Sequence, residues 1–287
     1  MATNLDIVFI NGEFLPSSEA KISAFDRGFI FGDGIYEVVP VVNSRLVDRD
    51  DFWERFERSL MAIELKLPYK KEKFEEILYE VITQNGLKEG GVYLQITRGA
   101  APRDFYFVNG LTPSVFVFCY EANVIDNPLA KSGIEIVSVE DIRWSRRDIK
   151  SISLLAQCYA KNEAHKRGAY EGLMVQNGFV TEGCSSSAFI IKDKTLITKP
   201  LSNEILPGIR RKTLLKFAEL VGLKVEQREF SIDEVYGADE AFISAATLIL
   251  LPIIKADGRF INGGKVGKYA IKLRELYVRK MLDEAGV

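Results

Sequence analysis

The chain has 287 residues, of which 47% are apolar, and its 38 Lys and Arg nearly balance its 40 Asp and Glu. A formal charge of −2 creates no strong field that would attract nucleic acid or an anionic membrane surface. The longest apolar run, Phe242 to Ile254, is too short to cross a bilayer and contains a proline. The length predicts two domains.

The first residues contain no basic stretch followed by an apolar core, so no secretory signal is expected. Three cysteines, Cys119, Cys158 and Cys184, are odd in number, far apart and not in a metal-ligand spacing. This usage favours reduced thiols over a disulfide framework. A cytoplasmic location is therefore predicted.

The single histidine, His165, restricts the chemistry that the chain can carry out. A Ser-His-Asp or Cys-His hydrolase would have to use this residue, and no metal site is predicted, because a zinc site of several His or Cys pairs lacks ligands. His165 lies near the polar end of a predicted helix, where a solvated side chain is the favoured interpretation. Proton transfer is expected from Lys, Asp, Glu or Tyr instead.

Residues 1–121 are predicted to form an N-terminal α+β domain. Asn11-Gly12 suits the φ > 0 turn of a β-hairpin, so residues 7–15 are expected to pair as two strands. Apolar residues with a period of 3.6 predict two helices from Asp50 onward, and Gly86 is expected to end the second. Further strands are predicted at 35–42, 92–98 and 114–120.

Residues 122–130 are predicted to link the domains, because the stretch from Glu121 to Pro128 is polar and ends in proline. Residues 131–287 are predicted to form the second α+β domain. Helices are expected at about 153–167, 208–221 and 266–281. Strands are expected at 134–139, 172–181, 186–191, 224–228, 240–244 and 250–256, with turns at Asn177-Gly178 and Asp257-Gly258.

A basic segment between Glu140 and Ser151 contains Arg143, Arg146, Arg147 and Lys150. Such a cluster is usually a solvated surface. If it is partly buried, the neighbouring guanidinium groups would leave a fraction of Lys150 as the free amine, which can attack a carbonyl. A lysine nucleophile is attractive here because histidine is unavailable.

Two further segments have the residue types of an anion site. In Thr181 to Ser187, hydroxyls and backbone N–H groups could surround an anion, while Glu182 offers a carboxylate to a cationic ring nitrogen. In Leu206-Pro207-Gly208-Ile209-Arg210-Arg211, a turn leads into a helix. The N-terminus of a helix favours phosphate, although every helix has such an end.

Together these segments resemble the fold type IV (class IV) family of pyridoxal-phosphate enzymes. The family contains D-amino acid aminotransferases, branched-chain aminotransferases, (R)-amine transaminases and aminodeoxychorismate lyases. The resemblance extends from Asp26-Arg-Gly-Phe-Ile-Phe-Gly-Asp-Gly-Ile-Tyr-Glu37 to Asp257-Gly258, with its core in residues 141–150, 181–186 and 206–209. The D-amino acid branch looks closest, on Gln95 to Arg103 and Asp148 to Ser151. The resemblance implies a two-domain α+β fold with the cofactor at the domain interface.

The resemblance also implies how pyridoxal 5′-phosphate is held. Lys150 would form the internal Schiff base and then act as the acid-base group, and Glu182 would pair with the pyridinium nitrogen, oriented by Arg143. Ser185 would belong to the loop beside the cofactor. The phosphate would be bound by Arg55, by the backbone N–H groups of Ile209 and Arg210, and by Ala246 and Thr247.

For the substrate, the resemblance implies a carboxylate trap made by Tyr36 and Arg103. The Arg103 loop would reach in from the partner subunit, so a homodimer is implied. The reaction expected is ping-pong transamination between a D-amino acid, such as D-alanine, and 2-oxoglutarate or pyruvate.

Four residues depart from the family pattern. Phe105 stands where the D-amino acid branch usually has His or another cationic residue, and Phe52 replaces a common His. Ala246 takes the place of a hydroxyl residue that helps to hold the phosphate, with Ser244 and Thr247 as substitutes, and Ser187 stands where Asn is usual. The departures at Phe52 and Phe105 leave the choice of substrate open.

The alternative functions therefore remain an (R)-amine transaminase, a branched-chain aminotransferase and, less favoured, the lyase. A different class of function would make the basic segment a phosphate- or RNA-binding surface on a non-enzymatic protein. That interpretation would call for a basic net charge and aromatic residues among the basic ones, whereas the chain is slightly acidic.

Overall fold

The computed structural model describes residues 3–287, and the chain divides into two compact units. Unit 1 contains the described residues up to Val124, together with Ile149–Ser153 and Met281–Val287. Unit 2 contains Ile125–Asp148 and Leu154–Lys280. No helix among residues 3–287 has both the length and the apolar character that a membrane crossing requires.

Unit 1 is built on one antiparallel sheet. Its strand order is β3-β2-β7-β6-β4-β5, with β1 pairing β7, which makes seven strands within the described residues. The central strands β4, β6 and β7 are long and bury alternate or continuous apolar side chains. The strand bounds are β1 Thr3–Asn4, β2 Ile7–Ile10, β3 Glu13–Pro16, β4 Gly34–Val42, β5 Arg45–Leu46, β6 Gly90–Thr97 and β7 Ser114–Glu121.

The helices of unit 1 follow the apolar period that the sequence shows. They are α1 Arg27–Phe31, α2 Arg49–Ala62 and α3 Lys71–Gln84. Phe52, Phe56 and Leu60 of α2 are buried, which is the face that the period of 3.6 predicted. The predicted hairpin is confirmed as β2 and β3, with Asn11 and Gly12 at φ 50° and 111°.

Unit 2 is built on a mixed sheet of nine strands among the residues described. Its order is β10-β9-β8-β15-β14-β11-β12-β13, with β16 pairing β15. β8 runs parallel to β9 and β15, and β12 runs parallel to β13, whereas the other pairs are antiparallel. The strand bounds are β8 Ile134–Glu140, β9 Glu171–Gln176, β10 Phe179–Gly183, β11 Ser187–Lys192, β12 Thr195–Thr198, β13 Lys224–Gln227, β14 Glu240–Ser244, β15 Leu251–Ala256 and β16 Arg259–Phe260.

Both predicted turns of this sheet are confirmed, with φ of 54° and 84° at Asn177-Gly178 and 45° and 81° at Asp257-Gly258. The helices of the second half are α4 Leu129–Ser132, α5 Leu155–Lys166, α6 Ile209–Leu220, α7 Ile232–Tyr236 and α8 Lys268–Ala285, and a 3₁₀ turn spans Asn262–Gly264. From Met281 onward, the end of α8 belongs to unit 1.

The division into units differs from the expected domains at Ile149–Ser153. The sequence placed Lys150 in the C-terminal domain, but this segment belongs to unit 1. The reason is backbone pairing, since Ser151 forms an antiparallel bridge with Ile35 of β4. The unit boundary at Val124 and Ile125 falls inside the expected linker, 122–130.

Candidate active site

Lys150 lies in a short segment of unit 1 that runs beside β4. The N–H of Tyr36 donates to the Lys150 carbonyl at 3.0 Å, and the N–H of Ile152 donates to the Gly34 carbonyl at 3.1 Å. The Lys150 side chain is half-buried, and its Nζ lies 4.2 Å from the centroid of the Tyr36 ring. Backbone pairing with β4 therefore sets the position of the lysine amine.

The Tyr36 ring also stacks on the ring of Tyr93, with centroids 5.4 Å apart and an interplanar angle of 20°. The Tyr93 hydroxyl donates to Oε1 of Gln95 at 2.7 Å. Burial raises the pKa of the Tyr93 phenol, with a further contribution from Tyr36, so Tyr93 stays protonated at neutral pH. Tyr36 thus contacts the lysine amine and a fixed neighbouring ring, both within unit 1.

Arg55 of α2 forms a buried ion pair with Glu37 of β4. Its Nε and Nη2 donate to the two oxygens of the Glu37 carboxylate at 2.7 and 2.6 Å. Such a bidentate pair fixes the plane of the guanidinium group. The sequence missed Glu37 as the partner of Arg55, because the two residues lie on different elements and only the fold brings them together.

Arg103 lies on the exposed loop between β6 and β7. Its guanidinium carbon lies 5.7 Å from the ring centroid of Phe31 and 5.3 Å from that of Phe105. The single chain does not join Arg103 to Tyr36, since no hydrogen bond connects them within residues 3–287. Arg103 and Tyr36 as a joint carboxylate trap therefore stays a prediction.

In unit 2, Glu182 stands at the end of β10, in a buried position. Arg143 Nη1 donates to Glu182 Oε1, and the N–H of Leu206 lies 3.2 and 3.3 Å from the two carboxylate oxygens. Burial nevertheless raises the pKa of Glu182, outweighing the lowering by Arg143. The carboxylate charge is thus incompletely compensated, which favours a further cationic N–H partner.

The same arginine is held by a second carboxylate. Arg143 Nε and Nη2 donate to Asp141 at 2.9 and 2.7 Å, and Thr181 Oγ1 donates to Asp141 Oδ2 at 2.6 Å. Burial alone would raise the pKa of Asp141, but the hydrogen bonds and charges of Arg143, Thr181 and Arg147 hold it below its usual range. Asp141 therefore stays ionised and orients Arg143 toward Glu182. The sequence did not identify this role of Asp141.

Much of the basic segment is not an exposed surface. Arg143 and Arg147 have side chains 5% and 3% exposed, and both pair with Asp141. Arg146 is more exposed but pairs with Asp148 through Nε and Nη2, each at 3.0 Å. These three arginines therefore do not form the contiguous row of solvated cations that an RNA-binding surface requires.

Ser185 is exposed in the loop between β10 and β11. Its Oγ lies 3.5 Å from Oε2 of Glu171, which also accepts from Lys161 Nζ at 2.9 Å. Glu171 is fully buried, and its Oε1 has no hydrogen-bond partner among the residues described. The Ser185 loop thus lies against a buried carboxylate that the sequence did not single out.

Helix α6 begins beside two serine side chains. Gly208 is its N-cap residue, and a Cβ at Gly208 would lie 2.5 Å from Ser187 Oγ, so only glycine fits there without a shift. Ser187 of β11 pairs directly with Ser244 of β14, which places the two side chains on the same face of the sheet. The Ser244 hydroxyl is buried without a partner within residues 3–287. A helix N-terminus, a serine at its cap and an unsatisfied buried hydroxyl therefore occur together.

The side chain of Arg210 fastens the turn after β14. Its guanidinium donates to the Ala246 carbonyl and lies 4.5 Å from the Tyr277 ring centroid. Binding of the phosphate by the Arg210 backbone N–H stays a prediction. Ala246 and Thr247 are half-buried in the turn after β14. The Ala246 methyl group cannot donate a hydrogen bond, so of the two only Thr247 has a hydroxyl.

A second arginine, which the sequence did not identify, fastens the same turn. Arg274 Nη1 donates to the carbonyls of Leu248 and Leu250 at 2.7 and 2.8 Å. Burial, with the nearby charge of Arg210, lowers the pKa of Arg274 to about 10. Hydrogen bonds from Arg210 of α6 and Arg274 of α8 to backbone carbonyls therefore hold the segment that contains Ala246 and Thr247.

Comparison with known proteins shows what the chain is similar to. Residues 34–256 match the family model of amino-transferase class IV. The chain is 40% identical over 275 residues to the D-alanine aminotransferase of Staphylococcus aureus strain N315, an alignment that covers 94% of this chain and 96% of that protein.

Two solved structures share the fold. A branched-chain amino acid aminotransferase of Escherichia coli gives a TM-score of 0.90 at 21% identity, over 98% of this chain and 96% of that chain. The branched-chain amino acid aminotransferase of T.th. with pyridoxamine 5′-phosphate gives a TM-score of 0.89 at 23% identity, over 99% and 95%. The expected fold type IV architecture, an α+β fold with two sheets, is thereby confirmed.

Proposed function

Because the chain belongs to the class IV aminotransferase family, we propose that it transfers an amino group between a D-amino acid, such as D-alanine, and 2-oxoglutarate or pyruvate. The nearly full-length relationship to a D-alanine aminotransferase carries this proposal. The branched-chain enzymes share the fold at much lower identity. Pyridoxal 5′-phosphate is the cofactor of this family.

The residues present fit that cofactor. Lys150 offers a half-buried amine, and the buried carboxylate of Glu182 is suited to a protonated ring nitrogen. The start of α6, with Ser187 and the unsatisfied hydroxyl of Ser244, has the donors that a phosphate group requires. We propose Arg55, Ser185, Ile209, Arg210 and Thr247 as further residues around the cofactor, with Ala246 contributing backbone only.

When bound, the cofactor supplies the electron sink for the charge that develops as the substrate Cα loses its proton. Lys150 would hold the cofactor through its Nζ. Once the substrate amine has taken its place, this Nζ would be free to take the proton from the substrate Cα and to return it as the general acid. Arg143, held by Asp141, would keep Glu182 oriented toward the ring nitrogen, whose positive charge would favour the ionised carboxylate. A second 2-oxo acid reverses these steps, which gives ping-pong kinetics.

We also propose that the working enzyme is a homodimer. Arg103 is exposed in the single chain, and the loop around it carries Phe105, Tyr106 and Phe107, which are 74%, 65% and 45% exposed. Exposed aromatic residues grouped on one loop are typical of surfaces that another protein covers. In a dimer, Arg103 would complete the carboxylate trap of the partner subunit with Tyr36.

The enzyme is proposed to work in the cytoplasm, since Cys119, Cys158 and Cys184 are all free thiols. The second candidate function is (R)-amine transamination. The observation in its favour is the exposed apolar ring of Phe105 at a position where a cationic residue would bind a carboxylate.

The test is the visible spectrum and the donor preference of the purified protein. With pyridoxal phosphate, the wild type should become coloured and form an adduct at the active site that borohydride reduces to a stable secondary amine, whereas Lys150→Ala should form none there. Lys131→Ala, on an exposed lysine that pairs with Asp126, is the matched control and should behave as the wild type. A colourless wild type would contradict the assignment to this cofactor.

The branch is decided by comparing D-alanine, L-leucine and (R)-1-phenylethylamine, each with 2-oxoglutarate as the acceptor. D-alanine should give the highest kcat/KM. A preference for L-leucine would overturn the D-amino acid proposal in favour of a branched-chain aminotransferase, and a preference for the amine would favour the second candidate.

A further inference from the structure

Phe105 replaces a cationic residue in the loop that carries Arg103, and its ring does not merely fill space. Three groups meet here, because the Phe31 and Phe105 rings have centroids 5.6 Å apart and both lie within 6 Å of the Arg103 guanidinium carbon. These distances are within the range of cation–π attraction. We propose that Phe31 and Phe105 form an aromatic clamp that positions Arg103 for the substrate carboxylate.

The base of this clamp is a buried ion network. Asp33 accepts from Arg27 Nε at 2.7 Å and from Arg98 Nε at 2.8 Å, and all three side chains are 7% exposed or less. Two arginines that share one carboxylate in a buried position have little freedom to reorient. The network is therefore a rigid platform at the foot of the loop.

The platform contacts the loop on both sides of Phe105. Arg27 Nη1 donates to the carbonyl of Asp104 at 2.6 Å, and the Arg98 guanidinium lies 3.7 Å from the centroid of the Phe107 ring. Arg27 also lies 4.8 Å from the Phe31 ring, so one ring contacts both the platform and Arg103. The position of Arg103 is thereby tied to Asp33 through two contacts of the loop and one shared ring.

The clamp explains how the trap works without a second cation. A cationic residue at 105 would add a hydrogen bond to the substrate carboxylate, but it would also repel Arg103. An aromatic ring there contributes no donor and instead restricts the long arginine side chain, whose ordering upon binding costs entropy. Phe31 and Phe105 are thus positioning residues, and Arg103 alone binds the carboxylate from this loop.

The inference rests on the proposed function, so the experiment begins with the wild-type holoenzyme. Transamination of D-alanine by the wild type tests the proposed function, and its absence would count against that proposal. The clamp has a separate readout, which is the spectral titration of the holoenzyme with propionate, a carboxylate that lacks an amine and cannot turn over.

The variant Phe105→Leu keeps an apolar side chain and removes the π system. The KM for D-alanine and the Kd for propionate are expected to rise about threefold to tenfold, with kcat nearly unchanged. The kinetic constants for (R)-1-phenylethylamine, which has no carboxylate, should stay within twofold of the wild type. Phe31→Leu should give the same pattern.

The restoring variant is Phe105→Tyr, which keeps the ring and should behave as the wild type. The matched control is Tyr79→Leu, which removes an exposed ring on α3 that has no cation partner within residues 3–287. It should leave all constants unchanged. Equal losses for D-alanine and the amine in Phe105→Leu, or an unchanged Kd for propionate, would overturn the clamp.

A direct contact of Phe105 with the substrate would give another result. In that case the effect of Phe105→Leu would change with the donor side chain, being larger for D-leucine than for D-alanine. The clamp requires the same change for both donors, because both present the same carboxylate to Arg103.

Discussion

Buried charges at single positions decide most of the proposed chemistry. Glu182 is held by Arg143 and the Leu206 N–H, and Asp141 holds Arg143 from the other side. The sequence predicted Lys150, Glu182 and Arg143 as site residues from local motifs. It could not locate Glu37 or Arg274, since their partners lie far along the chain and a lone Glu or Arg has no distinguishing pattern.

The first prediction concerns Glu182→Gln, which keeps the shape of the side chain but removes its charge. The ring nitrogen would lose its anionic partner, so kcat for D-alanine should fall about 100-fold or more. Steady-state kinetics with saturating cofactor checks this. The exposed Glu275→Gln of unit 2 is the control and should retain full activity. Full activity in Glu182→Gln would remove this residue from the cofactor site.

The second prediction concerns the thiols. Burial raises the pKa of Cys119 to about 11 and that of Cys184 to about 12, whereas Cys158 is exposed. Because the thiolate is the reactive form and a thiol is protonated below its pKa, Cys119 and Cys184 should be unreactive at pH 8. A chromogenic disulfide reagent should therefore titrate at most one thiol per native chain, and three after denaturation. Two fast thiols in the native protein would contradict this burial.

At the scale of elements, the two sheets were predictable in part. Hairpins were predictable from three turns, Asn11-Gly12, Asn177-Gly178 and Asp257-Gly258. The long helices were predictable from apolar residues that recur with a period of 3.6. The strand β12 and the short helix α7 were missed. Each is only four or five residues long, so neither contains enough periods for its pattern to be distinguished.

The third prediction compares two glycines near the start of β6. Gly90 has φ +156°, and an added Cβ would lie 2.0 Å from the Tyr120 carbonyl oxygen of the neighbouring strand. Gly86 has φ +64° and open space around it. Gly86→Ala should cost about 1 kcal/mol of stability from the left-handed backbone alone. Gly90→Ala should cost about 3 kcal/mol or more, because β6 and β7 must separate.

The measurement is the free energy of unfolding from urea titration of both variants beside the wild type. Equal losses for Gly90→Ala and Gly86→Ala would show that the close approach of β7 to Gly90 does not exist in solution.

At the scale of the whole molecule, Arg103 and Lys150 are proposed to act in one site from different chains. Light scattering should then give twice the chain mass of 32.3 kDa. The length suggested two domains but could not place the boundary around Lys150, since backbone pairing over more than a hundred residues assigns Ile149–Ser153 to unit 1.

The fourth prediction is complementation between inactive chains. Lys150→Ala and Arg103→Ala should each have little activity with D-alanine, whereas a heterodimer of the two contains one intact site. After unfolding and random reassociation of an equal mixture, about a quarter of the wild-type activity per chain should return, because half of the dimers are mixed. Activity no higher than the mean of the two separate variants would show that Arg103 does not act across a dimer.

Unit 1 is assembled from three separate stretches of chain, and one of them, only five residues long, carries Lys150, the proposed Schiff-base residue. Neither unit can therefore be cut out as one continuous gene fragment that retains the residues of its own structure. Recombination that exchanged residues 1–124 alone would leave Lys150 on the other parent's segment, which would have to pair with a foreign β4. A recombination that keeps each unit whole therefore needs crossovers on both sides of Ile149–Ser153 as well as after Val124 and after Lys280.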